Sequence, residues 1–268
     1  LAREIETIEG TSMSTANLRE ICSFLDTTLN TKAFKDASLN GLQIESSSSA
    51  IKKVGFSVDA GYSVAEKAVK AGCQLLVVHH GLLWGECAPI VGPWARKLSL
   101  FLENGLSLYA NHLPLDGHQE LGNAAQLASL LKLAELSPCF QYGGATIGIR
   151  GRLAQPASMT SISAMLSGIE GILTPPLTLP FGKPDVRTVG IATGSGTMVI
   201  PECAELGIDL LITGEAKQSA YHEAMERGVS VLCIGHYASE TFGVRALERV
   251  LSERFRVETA WISEPTGI

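Results

Sequence analysis

No apolar run in this chain approaches the roughly 20 residues that a membrane-crossing helix needs, which excludes a role as an α-helical membrane protein. The six cysteines, at 22, 73, 87, 139, 203 and 233, include no CxxC pair. Scattered in this way, they read as buried thiols in a reducing compartment, and neither a disulfide framework nor a thiolate metal site is expected. Lysine and arginine form no cluster, and 21 basic residues against 27 acidic ones leave a formal net charge of −6. Such a surface cannot neutralise a run of phosphates, which argues against nucleic acid as a partner. The phosphate-loop pattern GxxxxGK[ST] is missing too, and Gly190, Gly194 and Gly196 do not follow the GxGxxG order of a dinucleotide fold. Residues 1–12 are polar and acidic, with neither the basic start nor the apolar stretch of a signal peptide. Met13 reads as a native start and residues 1–12 as an N-terminal extension or cloning remnant. The cytoplasm is the expected location.

What is present is a globular composition, with 46% hydrophobic and 18% charged residues over 268 positions. It carries an internal repeat. Val54-Gly55, Gly61, Gly72 and Leu75-Leu76 recur without a gap 135 residues later as Val189-Gly190, Gly196, Gly207 and Leu210-Leu211. Each copy reads as strand, loop, helix, strand. In the first, Tyr62 to Ala71 places Val64, Ala65, Ala68 and Val69 at helical spacing. The strands that follow are continuously apolar, as strands covered on both faces should be. Further on, Asn104 to Leu108 matches Arg227 to Val231, and His112-x3-Asp116 then lines up with His236-x3-Glu240. The expected architecture is α/β: two similar halves, 13–135 and 136–268, each a mixed sheet flanked by helices.

Other elements are expected as follows. Helices are predicted over Thr15 to Leu29 (N-capped by Thr15), Leu121 to Leu133, Met159 to Leu166, Ala216 to Arg227 and Thr241 to Arg254. Strands are predicted over Thr146 to Leu153 and Phe255 to Trp261, a serine-rich loop over Ser46 to Ala50, and a linker over Thr174 to Pro184, with its four prolines.

Five of the six histidines end an apolar strand or follow one: His79, His80, His112, His118 and His236. In α/β sheets, ligands gather beyond the strand C-termini. Adjacent histidines on an extended strand point to opposite sides, so His79-His80 serves two ions or marks a turn at Gly81. Imidazole with carboxylate suits zinc, iron or manganese. Three imidazoles and two carboxylates are too many for one open catalytic zinc and fit a two-ion centre better.

The stretches 76–84 (LVVHHGLLW), 112–118 (HLPLDGH), 209–215 (DLLITGE) and 235–240 (GHYASE), with 40–43 (NGLQ), resemble the NIF-three-like (YbgI-type) family over nearly the whole chain from Met13. That resemblance implies a toroidal homohexamer with a dinuclear metal centre, in the compact form without an extra domain between the halves. It carries over His79, His80, Asp116, His236 and Glu240 as metal ligands. His112 then orients a ligand or moves protons. Glu215 serves as a proton shuttle, or else as a helix-start carboxylate. His222 also falls on a motif position. Trp84 and Tyr237 flank the ligand motifs as candidates for a pocket wall, with core packing preferred for Trp84, and His118 is expected as a cap of the helix Leu121 to Leu133. Some members carry the label GTP cyclohydrolase 1 type 2. The expectation is therefore a metal-dependent hydrolase of a small molecule. A non-catalytic metal- or partner-binding scaffold and a phosphoesterase acting on a small phosphate ester are the alternatives.

Overall fold

The computed structural model describes residues 15–85 and 88–268; the expectations for residues 1–12, Met13 and Cys87 fall outside them. In chain order the first elements are β1 (Ala16–Asn17), α1 (Leu18–Thr28), β2 (Gly41–Ile44), β3 (Ala50–Ile51), β4 (Lys53–Asp59), α2 (Tyr62–Lys70), β5 (Leu75–His80), α3 (Gly92–Glu103), β6 (Ser107–Ala110), α4 (Leu113–Asp116) and α5 (Asn123–Leu130). There follow β7 (Ala134–Tyr142), β8 (Ala145–Ser158), α6 (Met159–Leu166), β9 (Leu177–Leu179), β10 (Asp185–Ile191), α7 (Ile200–Glu205), β11 (Leu210–Thr213), α8 (Ala220–Arg227), β12 (Ser230–Cys233), α9 (His236–Phe255) and β13 (Glu258–Trp261).

The repeat folds into two mixed sheets. One has the order β13-β4-β5-β6-β2 and the other β7-β8-β10-β11-β12-β9. In each, three parallel strands (β4-β5-β6 and β10-β11-β12) end on an antiparallel edge strand, β2 or β9. The period-2 alternation of a strand explains why these runs are apolar throughout. Leu75 and Val77 pack with residues of α1 and α9, while Leu76 and Val78 pack with residues of α2. In the second sheet Leu210 and Ile212 face α5 and α6, while Leu211 faces α7 and α8. Among the described residues no helix is long and apolar enough to cross a membrane.

Several boundaries differ from the sequence reading. The N-cap of α1 is Asn17, whose side chain accepts the Arg19 N–H at 2.8 Å, not Thr15. The expected linker at 174–184 contains β9, paired to β12 at the sheet edge, where prolines beside the strand interrupt no ladder. The expected strand at 146–153 is the middle of a long hairpin, β7–β8. The last helix begins at His236, five residues before Thr241, and that moves two candidate ligands, His236 and Glu240, into its first five residues. The closing strand β13 joins the first sheet, parallel to β4.

Candidate metal centre

The C-terminal ends of β5 and β6 in one sheet and of β11 and β12 in the other meet at a single place. β5 ends in His79 and His80, and β6 leads through Asn111 to His112 and the single turn α4, which ends in Asp116. Gly214 and Glu215 follow β11, and the start of α9 puts His236 and Glu240 one helical turn apart on the same face. All five expected ligands therefore converge, together with His112 and Glu215.

The four imidazoles share one arrangement. The Nδ1 of His79 lies 3.0 Å from the Asn111 carbonyl, that of His80 2.8 Å from Asp59 Oδ1, that of His112 3.0 Å from Asp36 Oδ1, and that of His236 3.2 Å from Glu215 Oε1. Acceptors at Nδ1 fix each ring's orientation and leave Nε2 turned to the interior, where a metal ion can take the place of a proton. Glu240, only 3% exposed, lies in the middle. Its Oε1 is 3.6 Å from His79 Nε2, and its Oε2 is 3.2 Å from Nε2 of both His80 and His236. Asp116 Oδ2 lies 3.5 Å from His79 Nε2. The other Asp116 oxygen accepts from Asn123 Nδ2 at 2.9 Å and from the Thr193 hydroxyl at 3.2 Å, which fixes its orientation. His79 and His80, with ring centroids 4.7 Å apart, are tethered to different neighbours, the Asn111 carbonyl and Asp59, and Glu240 turns one oxygen toward each.

Two buried atoms at the centre, His79 Nε2 and Glu240 Oε2, make no hydrogen bond despite these short approaches. A buried polar atom without a partner is costly, and here both are lone-pair donors aimed at one spot. Three overlapping groups could each hold a metal ion: His79, His80 and His112; His80, His236 and Glu240; His79, Asp116 and Glu240. Within each, the donor atoms lie within 4.8 Å of one another. The donor chemistry fits borderline divalent cations such as zinc, iron or manganese.

The electrostatics agree. Burial would push the His79 imidazole down, but the charges of Asp116 and Glu240 outweigh it and raise it to about 10. In His236 burial is again outweighed, by Glu240 and Glu215, and the ring rises to about 9. Burial opposes ionisation of Glu240, yet the His80 and His79 charges hold its carboxyl well below the usual carboxylate range. The Ser195 hydroxyl, which donates to Glu215, lowers that carboxyl, and His236 adds to the effect. Burial of Asp36 is outweighed by the hydrogen bonds from His112 and Asn40, so it too stays ionised.

Glu215 thus touches Ser195 and His236 and is not an amide-capping carboxylate at a helix start. Trp84 is a correction: it is 41% exposed rather than in the core. Its indole N–H donates to the Gly81 carbonyl at 2.8 Å, and its ring stands 5.0 Å from that of His112, walling the pocket over the centre. Tyr237 is buried and lines a smaller pocket on the opposite side of His80 and His236. His118 Nδ1 accepts the N–H groups of Glu120 and Leu121, so it closes the turn ahead of α5. His222 is exposed on α8 beside Tyr221, away from the cluster. The sequence reading missed Asp36, Asp59, Asn111, Asn123 and Ser195. Only Asp59 carried a signal, because it ends β4 in register with His80. Gly194 entered the sequence reading only through the dinucleotide pattern it fails to match, and its role is steric: a Cβ there would lie 2.3 Å from Glu240 Oε1, at a φ of +62°.

A family model, Duf34/NIF3 (NGG1p interacting factor 3), matches residues 16–266. A protein of Halobacterium salinarum named GTP cyclohydrolase 1 type 2 homolog is 40% identical, covering 94% of this chain and 100% of its own. The crystal structure of TTHA1606 from Thermus thermophilus superposes with a TM-score of 0.86 at 39% identity, over 94% of this chain and 100% of that one. The structure of protein ybgI, described as of unknown function, gives 0.84 at 32% identity over the same shares.

Proposed function

We propose that this chain, which belongs to the Duf34/NIF3 (NGG1p interacting factor 3) family, is a hydrolase that works with two divalent metal ions on a small-molecule substrate. One observation carries the reading. Four imidazoles are each tethered at Nδ1, those of His79, His80 and His236 present Nε2 to Glu240, and His79 Nε2 and Glu240 Oε2 lie buried there without hydrogen bonds.

His79, His80, Asp116, His236 and Glu240 would hold the ions, with Glu240 reaching the imidazoles of His79, His80 and His236 and Asp116 that of His79. Two bound metals lower the pKa of a water and polarise the bond to be broken. The chain's own residues do the rest. Asp59, Asp36 and Glu215 hold the rings of His80, His112 and His236 in place. Glu215, reachable from a pocket, can relay a proton through His236 Nδ1 or the Ser195 hydroxyl. His112 Nε2 faces the same centre and supplies a second proton site or a further donor. Trp84, Leu113, Tyr142 and Ile147 wall a cavity of about 380 Å³ above it, a size for a small molecule. Relatives named GTP cyclohydrolase 1 type 2 homolog make hydrolytic opening of a purine ring, with release of formate, the first reaction to try.

Elemental analysis of purified protein should find two metal equivalents per chain, and Asp116→Ala should lose both metal and turnover. Turnover that persists in a chelated Asp116→Ala protein would overturn the reading. Metal that holds the assembly together while no substrate reacts would leave a non-catalytic scaffold.

A further inference from the structure

We infer that the polar cleft next to the metal centre is a subsite for a phosphate group of the substrate; this rests on the hydrolase reading and adds a substrate class to it. The cleft, about 300 Å³, is lined by Ser195, Thr197, Lys217, Ser219 and Glu223 among others. It adjoins the pocket above the metal centre, with which it shares Ser195 and Met198.

The Ser195 hydroxyl is given to Glu215, but three other donors of the cleft are unused. Thr197 is only 7% exposed, yet its hydroxyl has no hydrogen-bond partner among the described residues. Lys217 likewise pairs with no carboxylate among them. Ser219, exposed at the N-cap of α8, makes no side-chain capping bond, so its hydroxyl is free to donate. The acid in the cleft, Glu223, is engaged by Arg227 on its own helix. The result is an ammonium and two hydroxyls lining one cleft, whose only carboxylate among the described residues, Glu223, is already paired. That pattern suits a tetrahedral phosphate; a planar carboxylate prefers a fork of parallel donors.

The two halves differ here in an informative way. The loop after β11 is polar, Lys217-Gln218-Ser219, and the equivalent loop after β5 is apolar, Leu82-Leu83-Trp84. Trp84 stands over His112 on the other side of the centre. The substrate class is therefore a molecule with an apolar or aromatic ring toward Trp84 and a phosphate toward Lys217.

The test is calorimetric titration of the zinc-loaded full chain with inorganic phosphate. Lys217→Ala should weaken binding about tenfold or more, Thr197→Val should weaken it several-fold, and Lys217→Arg should retain it, all with unchanged zinc content. Lys217 is exposed, so its replacement leaves the core intact. Equal phosphate affinity in wild type, Lys217→Ala and Thr197→Val would place the anion on the metals alone and overturn the subsite. So would the absence of any phosphate binding by the wild type. If binding depends on Lys217 while no substrate is turned over, the subsite stands and the hydrolase reading falls.

Discussion

Each imidazole of the centre has two nitrogens, and the fold commits Nδ1 to an outer acceptor, so protons and metal compete for Nε2. Without metal, His79 and His236 titrate near 10 and 9, above the ordinary histidine value. Loading zinc at pH 7 should therefore release protons into a weakly buffered solution, measurable with an indicator dye. The sign for stability follows. A raised histidine contributes stability that is complete below its unfolded pKa, about 6.5, and lost as pH climbs through 9 to 10. The chelated protein should melt at a lower temperature at about pH 10 than at about pH 7 in scanning calorimetry. The zinc-loaded protein should not share that loss, because its nitrogens are already deprotonated. Gly194 gives a second residue-scale outcome. Gly194→Ala forces a methyl against Glu240 Oε1 from a left-handed backbone. It should leave the circular dichroism spectrum of the fold in place while zinc content drops, and a fully loaded Gly194→Ala protein would contradict this geometry.

Between elements, α5 and α9 hold the two sheets together, and their contact is controlled by a small residue. Gly243 on α9 donates its N–H to Asn123 Oδ1 at 2.7 Å, and the amide of the same Asn123 donates to Asp116. A Cβ at 243 would lie 2.8 Å from Asn123 Oδ1. Gly243→Ala gains helix propensity of about 1 kcal/mol but overpacks this joint at a cost of about 1–3 kcal/mol. Denaturant unfolding should show no net gain, and zinc affinity should fall because Asp116 is displaced. Asp209 plays a comparable part between β10 and β11. Although burial opposes its ionisation, hydrogen bonds from Thr188 and Arg187 N–H and from Lys183 lower its pKa. Its contribution is present above the unfolded value, about 3.9, and fades as pH falls through the lowered one. Asp209→Ala should cost about 1–3 kcal/mol at pH 7, with the difference from wild type shrinking in acid melts. The elements legible in the sequence were the ones with a period. β5 and β11 showed as unbroken apolar runs, and α2 as a helical stripe closed by Gly72. The β7–β8 hairpin was half hidden because its exposed arms, such as Ala134 to Leu136, carry no alternation. β9 was hidden by prolines that only an edge position tolerates.

For the molecule as a whole, the repeat explains both how far the site could be read and where reading stopped. Matched placement of His112-x3-Asp116 and His236-x3-Glu240 made the centre visible in the sequence, because each pair follows the third parallel strand of its half. The supporting carboxylates were not visible. Asp36 lies in a loop between α1 and β2, and no local pattern announces that it will meet His112 across 76 positions. The same offset of 135 pairs His80 with Glu215, so one half offers an imidazole to the cluster where the other offers a carboxylate to His236. The two halves thus give the site distinct ends. Apolar surface is left open as well: Ile90, 62% exposed, lines a groove of about 510 Å³ with Leu39, Leu82 and Trp94, and the adjacent Val91 is 66% exposed. Contiguous apolar surface of this kind marks an interaction site. A ring of six copies, the assembly implied by the family resemblance, is the proposal for what covers it. Light scattering coupled to size exclusion should then give six times the 28.4 kDa chain mass. Ile90→Glu with Val91→Glu should split the ring while each chain keeps its zinc, since neither residue touches the centre. A wild type that elutes as a monomer at micromolar concentration would remove the ring from the account and leave the metal centre, assembled within one chain, untouched.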